Sequence, residues 1–328
     1  MKKLYNYLFL CAIFVSHGIA GAQTAAPGSA GWPSRPIRFI VPFPPGGGTD
    51  VNARIIAPRL AAALGQQVVV ENRTGAGGMV GTEVVAKSAP DGYSMVIATI
   101  GPIAINPSLY AKMTYDPAKD LAPVTITGEV PNGLVVHPTL PAKTPREFVT
   151  LARANPGKLV YASTGIGGLT HMATELMANM AGLKMIHVPY KSTGMAMPEI
   201  MAGQIQVMVA GMLAAQPFFA NGRLRPLGVT TAKRWPSLPN LPAIAEAVPG
   251  YDTGTYYGMF LPKGTPAGIA TRLNAEVNKI LQDGGIKNTL EAQGMAASGG
   301  TSSAFAARVK KEYDDWVKVV REAKLKIE

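Results

Sequence analysis

At 328 residues the chain is long enough to bury a sizeable core, and its formal charge of +11 comes from scattered lysines and arginines rather than from runs. Few aromatics sit among those cations, so the charge reads as a solvated surface with a mild bias toward small anions, and a nucleic-acid role is set aside. The single cysteine, Cys11, lies close to the N-terminus, which excludes a disulfide scaffold, a thiolate nucleophile and a cysteine-ligated metal in the body of the protein.

Lys2 and Lys3 precede an apolar stretch from Leu8 to Val15, and Ala20-Gly21-Ala22 follows. This is the pattern of a cleavable secretory signal, residues 1–22, and predicts an exported protein. Leu8-Phe9-Leu10 before Cys11 are not the small residues of a lipoprotein site. No later segment has the uninterrupted apolar length of a membrane span, so a soluble protein is expected. Residues 23–34 read as a disordered lead-in.

The strand-like run Ile37–Val41 then ends in Pro44-Pro45-Gly46-Gly47-Gly48-Thr49-Asp50, and a helix is predicted over 50–64. Val68–Glu71 likewise ends in Gly75-Ala76-Gly77-Gly78, before a helix over 80–87. A helix N-terminus carries orphan N–H groups and a positive partial charge, and glycine lets a ligand approach that backbone. Two such turns form an anion cradle that needs no charged side chain. Neither turn has the Gly-Lys-Ser/Thr ending of a nucleotide P-loop or a clean dinucleotide fingerprint. Tight βα turns with glycine for geometric reasons are the plainer alternative.

Further strands are expected at 95–98, 124–127, 134–137, 159–162, 185–188, 205–209, 227–229 and 258–261, with helices at 145–154, 170–181, 194–201, 266–282 and 302–323. The alternation implies α/β architecture with mostly parallel sheets. Thr144-Pro145-Arg146-Glu147 is a helix start with a cap, an early proline and a glutamate three residues on. Phe305, Val309, Tyr313, Trp316 and Val320 recur at helical spacing as a core-facing stripe. Ten strands are too many for one small sheet, so two domains are expected, with crossings at 127–133 and 248–254. Domain 1 then comprises residues 35–128 plus 255–328, and domain 2 residues 129–254. Two lobes joined in this way can hinge over a ligand.

Two more glycine turns fall in domain 2. Ser163-Thr164-Gly165 leads to Thr170 and His171, whose hydroxyl and imidazole groups can donate to an anion, although Thr170 can equally be a plain N-cap. Tyr190-Lys191-Ser192 follows the next strand, with Lys191 either a ligand cation or a solvated loop lysine. Tyr256 and Tyr257 are cleft-lining or ordinary strand aromatics. Enzyme signals are weak. There is no G-x-S-x-G elbow and no metal-ligand spacing among His137, His171 and His187. A Ser163–His171 dyad would lack an orienting acid, so an exported hydrolase is the least favoured reading. No cofactor or metal is expected.

Six collinear segments resemble one family: Trp32 to Asp50, Val70 to Gly81, Ala89 to Tyr93, Tyr161 to Gly165, Val188 to Gly194 and Leu261 to Pro266. The chain from Trp32 onward is similar to the Bug (TctC-type) extracytoplasmic solute receptors of tripartite tricarboxylate transporters. The resemblance implies a two-lobed periplasmic-binding-protein fold. It implies a carboxylate held by Gly47, Gly48, Thr49, Asp50, Ala76, Gly77 and Gly78, with Ser163, Thr164, Gly165, Thr170, His171, Tyr190, Lys191 and Ser192 contributing from the second lobe. Asp50 is expected to cap or orient rather than to meet the anion. The implied partners are a small di-, tri- or aromatic carboxylate and the membrane subunits of a transporter, or a sensor kinase in a sensing receptor. The receptor is expected to be a monomer. The family commonly has an acid where this chain has Gln206, and a polar residue where it has Ala210. Placed in the cleft, these would disfavour ligands bearing an amino group.

Overall fold

The computed structural model describes residues 31–110 and 112–322. The expected signal peptide, and residues 23–30 of the expected lead-in, lie outside the described residues. In chain order the strands are β1 (Ile37–Val41), β2 (Val68–Asn72), β3 (Ser94–Ala98), β4 (Leu121–Val130), β5 (Asn132–Val136), β6 (Val160–Ser163), β7 (Ile186–Pro189), β8 (Val207–Gly211), β9 (Arg225–Val229) and β10 (Thr255–Pro262). The α-helices are α1 (Gly48–Leu64), α2 (Met79–Ala86), α3 (Asn106–Leu109), α4 (Pro117–Asp120), α5 (Pro145–Ala154), α6 (Leu169–Ala181), α7 (Thr193–Met201), α8 (Met212–Ala215), α9 (Ala267–Gln282), α10 (Gly284–Ala292) and α11 (Ser302–Glu322).

The strands form two five-stranded sheets of identical plan, ordered β2-β1-β3-β10-β4 and β7-β6-β8-β5-β9. In the first, β1 runs parallel to β2 and β3, while β10 runs antiparallel to β3 and β4. In the second, β6 runs parallel to β7 and β8, while β5 runs antiparallel to β8 and β9. Each antiparallel strand is the one that has just arrived from the other sheet. The fold is thus a two-lobed α/β arrangement with two crossovers, although each sheet is less purely parallel than expected. The last two residues of β4, Glu129 and Val130, stay with the first sheet.

Each sheet is buried on both faces, as sheets of this class require. In β1, Phe39 and Val41 enter one core with Ile56 and Leu60 of α1 and Leu273 of α9, while Ile40 enters the opposite core with Phe260, Phe305 and Trp316. This is the period-2 alternation of a strand between two helical layers. In the second lobe Leu134, Tyr161 and Val209 pack with Phe148 and Met177, while Val135, Ala162 and Met208 pack with Ala196 and Ile200. The stripe expected on α11 holds for Phe305, Trp316 and Val320, but Tyr313 is exposed.

Two departures concern ends. Trp32 is buried, its carbonyl accepts a 2.6 Å hydrogen bond from Arg272 Nη1, and Ser34 binds the Tyr93 hydroxyl. Residues 31–34 are therefore docked on the first lobe and do not belong to a disordered lead-in. Asp283 ends α9 but its side chain accepts from Ile286 N–H and caps α10, a helix the Gly284-Gly285 pair concealed.

The crossings run side by side. Val130 pairs with Thr255 at the end of the β4–β10 ladder, and Asn132 Nδ2 donates to Thr255 Oγ1 at 2.6 Å. One helix touches both lobes. Ala173 and Met177 of α6 lie in a second-lobe core, whereas Met172, wholly buried, joins the first-lobe cluster of Phe305 and Trp316, with Leu169 and Leu176 packed beside it.

Candidate functional site

The first glycine turn joins β1 to α1 with Gly47 as N-cap and no side-chain cap. Asp50 is buried and points back into the turn: its carboxylate accepts from Gly46 N–H (2.9 Å), Arg54 Nε (2.9 Å) and Asn72 Nδ2 (2.9 Å). Asn72 closes the network. Its other Nδ2 hydrogen goes to Phe43 C=O, and its Oδ1 accepts from Arg54 Nη2. One carboxylate and one carboxamide thus tie the first turn to the end of β2, where the second begins. Burial pushes the Asp50 carboxyl up, but Arg54, Gly46 and Asn72 outweigh it, and it sits below the ordinary carboxylate value. Asp50 holds the cradle and has no spare reason to meet an anion. The N–H groups of Gly48, Thr49 and Asp50, the first of an uncapped helix, have no intrahelical partner.

The second turn is more contorted. Gly75, Ala76, Gly77 and Gly78 all have positive φ, Ala76 at 46°. A Cβ on Gly78 would stand 2.9 Å from the Phe43 ring, so the two turns pack on each other. Gly78 N–H is spent on Gly75 C=O, which leaves Gly75, Ala76 and Gly77 as the open donors of that stretch among the described residues. Gly48 is equally confined: a Cβ there would lie 2.1 Å from Tyr257 Oη.

In the second lobe the expected side-chain donors are engaged within their own turn. Thr170 Oγ1 accepts from Thr164 N–H and meets Thr164 Oγ1, both at 2.9 Å. Ser163 Oγ accepts from Gly165 N–H and lies 2.7 Å from His187 Nε2. The imagined Ser163–His171 dyad is absent: His171 Nδ1 accepts from Gly167 N–H at 3.1 Å, and the serine's imidazole partner is His187. Gly168, not Thr170, caps α6, again without a side chain. At the neighbouring turn, Tyr190 N–H bonds Ser163 C=O, and its hydroxyl donates to Glu199. Ser192 is the N-cap of α7 but makes no side-chain capping bond. Lys191 is exposed, with no ion pair among the described residues.

Helices α1, α2, α6 and α7, which follow the C-terminal ends of parallel strands, all start without a side-chain cap. Of the other helices, α4, α5 and α10 are capped by Asp116, Thr144 and Asp283, while α3, α8 and α9 also start without a side-chain cap. The C-terminal edge of parallel strands is where α/β sheets bind ligands. Sequence reading missed the third turn of the first lobe, a π-helical turn over Gly101–Ile105 that follows β3 and delivers the buried Asn106 beside Gly77. Its signal was the Gly101-Pro102 pair after a strand.

Gln206 is not in this site. Its Oε1 accepts from Val160 N–H, and its amide donates to Gly203 and Gln204 carbonyls. Val160 is the first residue of β6 and Ser163 the last, so Gln206 is at the far edge of the sheet. Ala210 is packed in the core with Ala162 and Met208. Neither lines a cleft wall, and the argument against amino-group ligands falls with them. Among the described residues no cluster of three or more metal-ligating side chains occurs, and no helix is long and apolar enough to cross a membrane.

The chain is similar to proteins of one receptor family. Residues 52–325 match the family described as Tripartite tricarboxylate transporter family receptor, TctC. Protein BugT of Bordetella pertussis is 37% identical over 94% of this chain and 96% of its own. A UPF0065 protein from the tcbD-tcbE intergenic region of Pseudomonas sp. is 38% identical over 94% of this chain and 93% of its own. Among solved structures, R. palustris Rpa4515 with adipate superposes at TM-score 0.82 with 38% identity, covering 90% of this chain and 99% of that one. MatC of Rhodopseudomonas palustris with bound malate gives 0.78 and 30%, covering 88% and 100%. The chain belongs to the TctC receptor family.

Two outcomes follow from the cradle. Asp50→Ala should cost about 1.5–3 kcal/mol in urea unfolding, the range for hydrogen bonds to a charged group. Because the folded-state value of Asp50 is depressed, its contribution is complete above an ordinary aspartate value of about 4 and is lost as pH falls through the lower folded value. Asp50→Asn should therefore lack that part of the wild-type acid loss. Gly48→Ala should destabilise the protein, because Tyr257 must move, and Tyr257→Phe in the same chain should recover part of that loss, read by the unfolding midpoint.

Proposed function

We propose that this member of the receptor family captures a small organic dicarboxylate in the periplasm and delivers it to the membrane subunits of a tripartite transporter, with no chemistry on the ligand. The observation that carries the reading is the set of four helix N-termini without side-chain caps at the strand C-terminal edges of the two lobes. Unpartnered N–H groups with the helix dipole behind them favour a carboxylate. In the first lobe the donors are the backbone of Gly48, Thr49, Ala76 and Gly77, with the Asp50 side chain and Gly78 holding their shape. In the second they are the backbone of α6 from Leu169 to His171 and of the turn around Lys191 and Ser192, with Ser163, Thr164, Gly165, Thr170 and Tyr190 as the frame.

The lobes divide near residues 128–131 and 254, and closure over the ligand hinges on the paired crossings. Exposed apolar side chains stand at three of the four turns, Val80, Ile166 and Met195, and suit a ligand with an aliphatic stretch between its acid groups. The adipate- and malate-bound relatives are consistent with that class. Tri- and aromatic acids remain in the screen as competitors.

The test is a thermal-shift and calorimetric screen of ligand-stripped protein against mono-, di-, tri- and aromatic carboxylates, with inorganic phosphate as control. A ligand at 100 times its dissociation constant adds about 2.7 kcal/mol, which moves the midpoint by several degrees. A shift confined to dicarboxylates is expected. A shift with phosphate alone, or with no carboxylate, overturns the reading.

A further inference from the structure

Beneath the β6–α6 turn three flat rings are stacked. His171 and His187 lie 4.1 Å apart between centroids at 20°, and Tyr161 lies 4.8 Å from His187 at 16°. The rings come from three elements, β6, β7 and the first turn of α6. Each imidazole is tied to the glycine turn: His171 through Gly167 N–H, and His187 through Ser163, whose Oγ also accepts from Gly165 N–H. The charged and titratable groups around them are few. Glu175, one turn along α6, takes the Tyr161 hydroxyl, Lys191 beyond β7 is exposed, and Tyr190 is committed to Glu199.

A backbone N–H pointing at Nδ1 makes that nitrogen the acceptor, so the proton of a neutral His171 is on Nε2. Nε2 makes no hydrogen bond among the described residues, where the bond of the ring is the one Nδ1 accepts, and the residue is only 6% exposed. Nε2 is not one of the fully buried, unpartnered side-chain atoms of the described residues, so it keeps access to an acceptor from outside the chain. A charge on the ring is opposed from two sides. It would have to give up its acceptor role to Gly167, and it would sit against His187 in a buried stack. Burial moves His171 down to about 4, and burial together with its neighbour His171 does the same for His187.

We infer that His171 presents Nε2–H, and no charge, to an oxygen acceptor on the second-lobe end of the ligand, and that His187 is the positioning residue that holds the ring in that state. This rests on the receptor reading and adds to it a site of specificity. The first lobe grips one carboxylate by backbone, and His171 reads whether a second acceptor is present. A dicarboxylate is thereby separated from the monocarboxylate of the same length.

The test has two arms on the purified receptor. In the first, 15N-resolved NMR follows the histidines, assigned by single substitutions, from pH 8 to pH 5. His171 should stay in the Nε2–H form throughout. A proton on Nδ1, or a charge gained above pH 5.5, overturns the inference. His187→Ala should let His171 titrate closer to the ordinary value of about 6.5 and make adipate binding tighten as pH falls, whereas His187→Phe, which keeps a flat ring in the stack, should restore a flat profile. An unchanged profile and tautomer in His187→Ala overturns the positioning role.

In the second arm, adipate and hexanoate are titrated calorimetrically. His171→Phe keeps the ring and loses the N–H, so adipate should weaken about tenfold or more while hexanoate changes less than about threefold. Equal weakening of both overturns the inference. His171→Gln, which retains an N–H donor, guards against misfolding and should keep more of the adipate affinity than His171→Phe. If the wild type binds neither acid, the receptor reading fails for these probes on its own, and the tautomer still decides the state of His171.

Discussion

The carboxylate of Asp50 is the constraint on which the first lobe depends. A glycine-rich turn is a good anion cradle because its backbone is exposed and its side chains are absent, and for the same reasons it has little to hold it in one shape. Here the shape is imposed from behind. Asp50 accepts from Gly46, Arg54 and Asn72, and Asn72 in turn holds Phe43 C=O. The network spends the charged and amide groups on one another and leaves the N–H groups at the start of α1 without partners. Phe43 then supports the second turn through Gly78.

The second lobe reaches a similar end by other means. Hydroxyls of Ser163, Thr164 and Thr170 and the imidazoles of His171 and His187 stiffen the turn before α6, and the helix that follows carries the contact between lobes. With Met172 buried against the first lobe and its neighbour Ala173 in the second-lobe core, α6 packs on both lobes within one turn of Thr170 and His171. Tyr251 adds to this packing, since its hydroxyl, from the second crossing, donates to Ala173 C=O.

Much of this was legible in sequence, and the reason is local. A β-type run, glycines and a helical stretch specify a βα turn within about fifteen residues, so the four turns and their helices were visible directly. What escaped was decided at a distance. The full lengths of β4 and β10 come from their antiparallel pairing with each other, which no local pattern announces. The π-helical turn at Gly101–Ile105 is apolar throughout and has no helical period to detect. The partner of Ser163 lies 24 residues away on β7, so a dyad drawn with the nearer His171 chose the wrong imidazole. Gln206 was misplaced because its position in a strand motif does not say which end of β8 faces the cleft. Its bond to Val160 does.

The most direct measurement is a crystal structure of the ligand-stripped protein soaked or grown with a dicarboxylate it binds. The account predicts one carboxylate within hydrogen-bond distance, directly or through one ordered water, of backbone N–H groups in both first-lobe turns, Gly48 to Thr49 and Ala76 to Gly77, with Asp50 still bonded to Gly46 and Asn72. A ligand held instead by side-chain cations, or bound away from these turns, would contradict it.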